Sequence, residues 1–220
     1  MKLEGAIFDV DGTLLDSMEM WATLGSRYLK SLGILPKEGL DNALKEMSIS
    51  QGLEYIKKEY NVKLSNEKMS TLLDKFMEDY YKFEVDLKPH VRLFLELLRA
   101  KGIKMCIATA TERKLIENAF DRLKISHFFE GIFTCTEVGF SKADPTIYRK
   151  SQEFLNIKKE KTIVFEDALH ALKTAQNDGF KVVAVFDSYE QNQEELIREA
   201  DVYLKDFDDL SLFWEYTSKL

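Results

Sequence analysis

Gly5-Ala6-Ile7-Phe8-Asp9-Val10-Asp11-Gly12-Thr13 decides how the chain is to be read. Four uncharged residues run straight into two aspartates. A short apolar run that ends abruptly in charge fits a strand buried on both faces, as in a parallel sheet, with its end reaching a ligand or solvent. Residues i and i+2 of an extended chain point to the same side, so Asp9 and Asp11 can present both carboxylates to one space. Gly12 lets the chain turn sharply behind them. Two anions so close repel, and a hard divalent cation with oxygen ligands resolves the conflict. The plainer reading is an Asx turn with no chemistry, so the surrounding residues have to decide.

Working outward, the same unit recurs: an apolar run, a polar turn, a helix-like segment. The runs are Gly5–Phe8, Ile103–Ala108, Gly131–Cys135, Thr162–Phe165, Val182–Phe186 and Asp201–Leu204. Between them, residues 91–101, 115–123, 147–155 and 168–176 carry apolar side chains at helical spacing. Gly102 and Gly179 follow two of these segments, where a C-terminal helix cap belongs. The alternation predicts an α/β fold with a doubly wound, Rossmann-like parallel-sheet core. From Ser17 to Lys82 no strand is legible, only amphipathic helix broken near Gly33–Pro36 and Asn61–Ser65. Residues 17–82 therefore read as a helical cap inserted into a core made of 1–16 and 83–220.

Later strand ends also carry polar chemistry. The second runs into Thr109-Ala110-Thr111, offering hydroxyls and N–H groups to an anion. Thr109 or Thr111 would equally serve as the N-cap of a helix beginning near Glu112. The fourth ends in Glu166-Asp167, able to complete a cation site or merely to favour a helix N-terminus. Lys142 precedes Asp144-Pro145 in a turn-like stretch. His90, His127 and His170 are scattered without ligand spacing and read as surface or packing residues.

Composition narrows the partners. The 220 residues carry a formal charge of −7, spread along the chain, so neither nucleic acid nor an anionic membrane is the expected partner. The N-terminus is apolar only to Phe8, too short for a secretion signal or a membrane span. Cys106 and Cys135 lie in strand-like stretches and read as packing thiols of a reducing compartment. The expectation is a cytoplasmic protein acting on a small molecule, with no protein partner implied.

Asp9-Val-Asp-Gly-Thr-Leu-Leu-Asp-Ser17, Thr109, Lys142 and Glu166-Asp167, in that order and each at an expected strand end or turn, resemble the four signature motifs of the haloacid dehalogenase-like hydrolases. The helical insertion is similar to the cap of the subgroup holding beta-phosphoglucomutase and phosphoglycolate phosphatase. The resemblance implies a Mg²⁺-dependent phosphatase acting on a small phosphate ester. Asp9 would be the nucleophile that becomes an aspartyl phosphate, and Asp11 the acid and base, its backbone carbonyl on the metal. Asp9, Asp11, Asp167 and Glu166 would form the metal site, while Thr109, the Ala110 N–H and Lys142 would hold the phosphoryl group. The lysine motif departs from the usual Gly-Lys-Pro-x-Pro by reading Ser141-Lys-Ala-Asp-Pro145, and Ala168 replaces a frequent small hydroxyl residue. Trp21 and Ile49 stand where beta-phosphoglucomutase has a cap histidine and arginine, which disfavours a sugar phosphomutase, the second reading. A dehalogenase lacks the second aspartate. A receiver-like phospho-acceptor would place its acidic pair before the acceptor strand, and a non-catalytic protein would have little use for all four motifs.

Overall fold

The computed structural model describes residues 2–45 and 47–219. Six strands form one sheet: β1 (Gly5–Phe8), β2 (Lys104–Thr109), β3 (Gly131–Thr134), β4 (Thr162–Glu166), β5 (Lys181–Val185) and β6 (Val202–Leu204). Their order is β3-β2-β1-β4-β5-β6, and every pairing is parallel. Each apolar run of the sequence becomes a strand. Some runs overreach by a residue: Ile103, Phe186 and Asp201 lie just outside β2, β5 and β6, and β3 stops at Thr134, where Cys135, half-buried, opens a short helix whose Glu137 N–H is capped by the Thr134 side chain.

The strands read as unbroken apolar runs because both faces are covered. Ala6 and Phe8 enter one hydrophobic cluster and Ile7 the other; Ile163 and Phe165 are divided from Val164 in the same way. Phe8 stacks on Phe165 with ring centroids 4.4 Å apart, and Phe94 meets both edge-on. Truncating such a ring to alanine costs about 3–5 kcal/mol, so this aromatic group fixes β1 against β4 directly beneath the strand ends.

Among the described residues, the insertion after β1 holds five helices: α1 (Met18–Ala22), α2 (Leu24–Ser31), α3 (Leu40–Leu44), α4 (Ile49–Glu59) and α5 (Asn66–Phe83). Gly33 takes a left-handed backbone after α2, and the Ser65 side chain accepts from Lys68 N to start α5, at the two breaks the sequence predicts. A further break before α4 comes from a Ser48–Gln51 capping box. Seven helices follow: α6 (Val91–Ala100), α7 (Arg113–Arg122), α8 (Cys135–Val138), α9 (Thr146–Leu155), α10 (Leu169–Asn177), α11 (Gln193–Glu199) and α12 (Ser211–Ser218). The short α8 and the last two escape the sequence reading. Gly102 and Gly179 both adopt positive φ at the ends of their helices.

The chain leaves and re-enters the sheet side by side. Asp16 N donates to Asp86 O and Lys88 N to Leu14 O, each at 2.9 Å, around an antiparallel bridge between Leu15 and Leu87. The order reverses at β1, whose neighbours are β2 on one side and β4 on the other. Ligands of open parallel sheets bind at the carboxyl ends of strands at such a reversal. Among the described residues no helix is long and apolar enough to cross a membrane.

Candidate active site

β1 places Asp9 at this reversal. Its N–H donates to Phe165 O at 3.0 Å, carrying the ladder with β4 one residue beyond the strand. Leu14 N and Leu15 N then both donate to Val10 O at 2.8 Å and close a tight loop. Gly12, at φ +83°, is required there twice over: a Cβ would stand 2.2 Å from Asp167 Oδ2. The loop thereby admits Asp167, whose Oδ1 accepts from Thr13 Oγ1 at 3.2 Å.

Three buried carboxylates converge. Asp9, Glu166 and Asp167 each place an oxygen within 4.8 Å of the other two. Lys142, buried in the loop before α9, donates from Nζ to Asp9 Oδ1 and to Glu166 Oε1, the latter at 2.7 Å. Tyr148 on α9 donates its hydroxyl to the same Oε1, also at 2.7 Å. Glu166 Oε2, by contrast, is buried with no partner among the described residues. A buried polar atom left unpaired costs about 1–3 kcal/mol, more for a charged one. An oxygen-only donor set with an unmatched carboxylate oxygen fits a hard divalent ion such as Mg²⁺, held through one or two carboxylates with water filling its remaining positions.

The charges agree. Burial pushes Glu166 up to about 7 despite the Lys142 ammonium beside it. Burial and then the neighbouring Asp9 and Glu166 raise Asp167 well above the usual carboxylate range. Burial works to lower Lys142, but Asp9 and Glu166 more than reverse this and hold it above the ordinary lysine range. The site is short of positive charge.

Asp11 departs from the two-residue alternation. Its carboxylate lies outside the cluster, accepting from Ser17 Oγ (2.6 Å) and Tyr81 OH (2.5 Å) at Oδ1 and from Thr111 Oγ1 (2.6 Å) at Oδ2. The Val10 turn has already bent the backbone out of strand geometry, so i and i+2 no longer share a direction. Burial raises Asp11 against the pull of these three hydrogen bonds. Of the metal roles expected for Asp11, only that of its backbone carbonyl is compatible with this placement.

On the other flank, Thr109 ends β2 and is buried, and its Oγ1 accepts from Thr111 N at 3.1 Å. Ala110 beside it is exposed. Neither threonine caps a helix: α7 starts at Arg113 with Glu112 at its N-cap and no side-chain cap bond, because the Thr111 hydroxyl is spent on Asp11. Where the lysine motif lacks its first proline, Asp144 makes the turn, accepting from Thr146 N at 2.8 Å. Where Ala168 lacks a hydroxyl, Glu190 Oε2 accepts from Leu169 N at 3.0 Å.

Sequence reasoning missed four residues. Tyr81 and Ser17 hold Asp11, and Tyr148 holds Glu166. Asp187, buried just past β5, pairs with Lys88 at 2.9 Å and adds its charge to the field at Asp167. Asp187 was within reach of the rule that strand ends carry chemistry; the tyrosines had no local signal. Trp21 on α1 donates from Nε1 to Tyr81 OH at 3.0 Å, and Ile49 is the exposed first residue of α4. His90, His127 and His170 are exposed and outside the acidic cluster.

The family of haloacid dehalogenase-like hydrolases matches residues 6–185, the span that contains Asp9, Asp11, Thr109, Lys142, Glu166 and Asp167. The chain belongs to that family. This hydrolase is 27% identical over 179 residues to a phosphorylated carbohydrates phosphatase of Thermotoga maritima, covering 81% of the chain and 83% of the relative. It is 27% identical over 195 residues to the pyrophosphatase PpaX of Bacillus mycoides, covering 84% of each. Among solved structures, a candidate beta-phosphoglucomutase from Thermotoga maritima superposes with TM-score 0.86 at 26% identity, covering 97% of this hydrolase and 99% of that chain. CbbY from Rhodobacter sphaeroides, solved with phosphate, shares the fold with TM-score 0.74 at 21% identity, covering 95% and 96%.

Proposed function

We propose that this hydrolase cleaves small phosphate monoesters in two steps through an aspartyl phosphate on Asp9, in a cytoplasmic setting and with Mg²⁺. The observation that carries the reading is the buried group of Asp9, Glu166 and Asp167 with Lys142 bridging two of them and Glu166 Oε2 unmatched. The relatives named as phosphatases support it.

Asp9 attacks phosphorus with one carboxylate oxygen; the ester P–O bond breaks, and Asp11 delivers its proton to the departing alkoxide. Burial keeps that proton within reach by raising Asp11. Water then attacks the aspartyl phosphate, Asp11 takes its proton, and inorganic phosphate leaves with Asp9 regenerated. Lys142, the Thr109 hydroxyl and the Ala110 N–H hold the phosphoryl oxygens and offset their charge. Asp9, Asp167, the Asp11 carbonyl and Glu166, directly or through water, would hold Mg²⁺, which would supply positive charge where the two anions meet. The cap, residues 17–82, governs which ester enters the core.

Asp9→Asn tests the reading. The amide keeps the shape and loses the nucleophile, so kcat falls at least ~10³-fold while the fold persists. A purified variant retaining a tenth of wild-type phosphate release refutes it. The second reading, phosphomutase, is favoured by the candidate beta-phosphoglucomutase among the solved structures. Ile49 and Trp21 count against it, because neither supplies the charge that grips a second phosphate or the proton that a histidine would carry.

A further inference from the structure

A cavity of about 570 Å³ lies among the helices of the insertion, within the range of small-molecule sites. Its wall is made chiefly by Trp21, Leu24, Leu44, Ile49, Leu53 and Ile56. Most of the polar atoms deep in that wall are already engaged. Tyr28 OH donates to Met69 O at 2.8 Å and Trp21 Nε1 to Tyr81 OH at 3.0 Å. Asp41 Oδ1 accepts from Ser26 N at 2.9 Å, and Ser48 Oγ from Gln51 N at 3.3 Å. The remaining polar lining, Asn42, Lys45, Tyr189 and Gln191, is exposed and belongs to the rim.

The cavity begins one side chain from the reacting groups. Met18, which also lines it, lies with Cγ 2.9 Å from where a Cβ on Gly12 would stand. Trp21 bonds the Tyr81 hydroxyl that in turn bonds Asp11. We propose that this cavity takes the organic part of the substrate, and that this part is apolar: an aryl or medium-length alkyl group rather than a polyhydroxylated sugar. The inference rests on the phosphomonoesterase reading of the neighbouring site. A sugar would bring several hydroxyls into a wall that is chiefly apolar and whose buried donors and acceptors are mostly spent, so most of them would lose water without replacement. An apolar group loses nothing there and gains by leaving water.

The test has two arms. In the first, phosphate release by the full-length protein with Mg²⁺ is measured for 2-naphthyl phosphate, hexyl phosphate, glycerol 3-phosphate and glucose 6-phosphate. The expected kcat/KM for hexyl over glycerol phosphate is about 30-fold or more, most of what burying three extra carbons offers. Ile49→Asn, a change at an exposed helix start that does not threaten folding, lowers this ratio about fivefold by putting an amide in the wall. In the second arm, 2-naphthol and glycerol are titrated by calorimetry into the Asp9→Asn protein, which needs no turnover; naphthol binds and glycerol does not. Efficient hydrolysis of glucose 6-phosphate or glycerol phosphate at or above the apolar esters, with no naphthol heat, overturns the inference and leaves the hydrolase reading standing. Naphthol binding without hydrolysis of any ester supports the cavity assignment and instead overturns the reading of the acidic site.

Discussion

Removing one oxygen atom from Tyr148 separates metal positioning from core packing. In the wild type, Glu166 Oε1 accepts from both Lys142 Nζ and Tyr148 OH, and this leaves Oε2 as the uncommitted oxygen. Tyr148 is fully buried, and burial together with the Glu166 charge holds its phenol well above its ordinary range, so it stays a donor. Tyr148→Phe keeps the ring and deletes a hydrogen bond to an ionisable acceptor, costing about 2 kcal/mol. For a chain of this size that lowers Tm by about 4–8 °C. Freed of one of its two donors, the Glu166 carboxylate turns, and Mg²⁺ affinity falls about tenfold, as for other outer partners of metal ligands. Calorimetric titration of Mg²⁺ into chelator-treated wild type and variant reads the affinity, and scanning calorimetry with and without Mg²⁺ reads the stability. At Mg²⁺ one hundred times its wild-type dissociation constant, the ion adds about 2.7 kcal/mol to the wild type and about 1.4 kcal/mol to the variant. A variant with lower Tm but the same dissociation constant as wild type refutes the positioning role and leaves Tyr148 a core residue.

Glu166 contributes to the pH dependence of the metal-free protein, in the same direction as the raised Asp167 and Asp11. Its fold-raised value of about 7, against 4.5 ordinarily, means the native chain keeps a proton that the unfolded chain releases between those values. Stability from this group is therefore greatest below about pH 4.5 and declines as pH climbs to about 7; Tm curves of chelated wild type and Glu166→Gln that run parallel across this window contradict it. Asp11→Asn keeps the nucleophile and loses the proton donor, so phosphorylation by an alkyl phosphate slows about 10²–10⁴-fold while p-nitrophenyl phosphate suffers less. Single-turnover rates that fall equally for both esters rule out the acid role. Glucose 1-phosphate supplied with a bisphosphate primer gives no isomer, and Ile49→Arg improves binding of bisphosphates more than of monophosphates. Glucose 6-phosphate appearing faster than free phosphate establishes the mutase instead.

The sheet was legible because a strand covered on both faces cannot hide a charge, and its runs end where the fold needs polar groups. Thus Asp9, Glu166 and Asp167 could be read as strand-end residues, and the structure brings them together. The direction of Asp11 could not be read, since it depends on a turn closed by Leu14 N and Leu15 N and on Tyr81, seventy positions away. Tyr148 is invisible for a related reason: buried tyrosines at helical spacing look like packing, and only the fold shows which hydroxyl meets a carboxylate. The cap cavity depends on which polar atoms are already engaged, and that is a property of three-dimensional pairing rather than of residue type.

The paired crossings at Leu14–Asp16 and Asp86–Lys88 bear on how such an enzyme changes over evolutionary time. Their ends lie about one strand spacing apart, roughly 4.8 Å, a gap that a two-residue turn spans. The whole intervening segment can therefore be shortened, lengthened or traded for another without re-routing the sheet or displacing Asp9, Lys142, Glu166 and Asp167. What such a trade must preserve is an apolar underside to cover Leu15 and Val85 and a donor to replace Tyr81 at Asp11. The bond-breaking machinery and the choice of molecule to break are thus free to diversify at different rates.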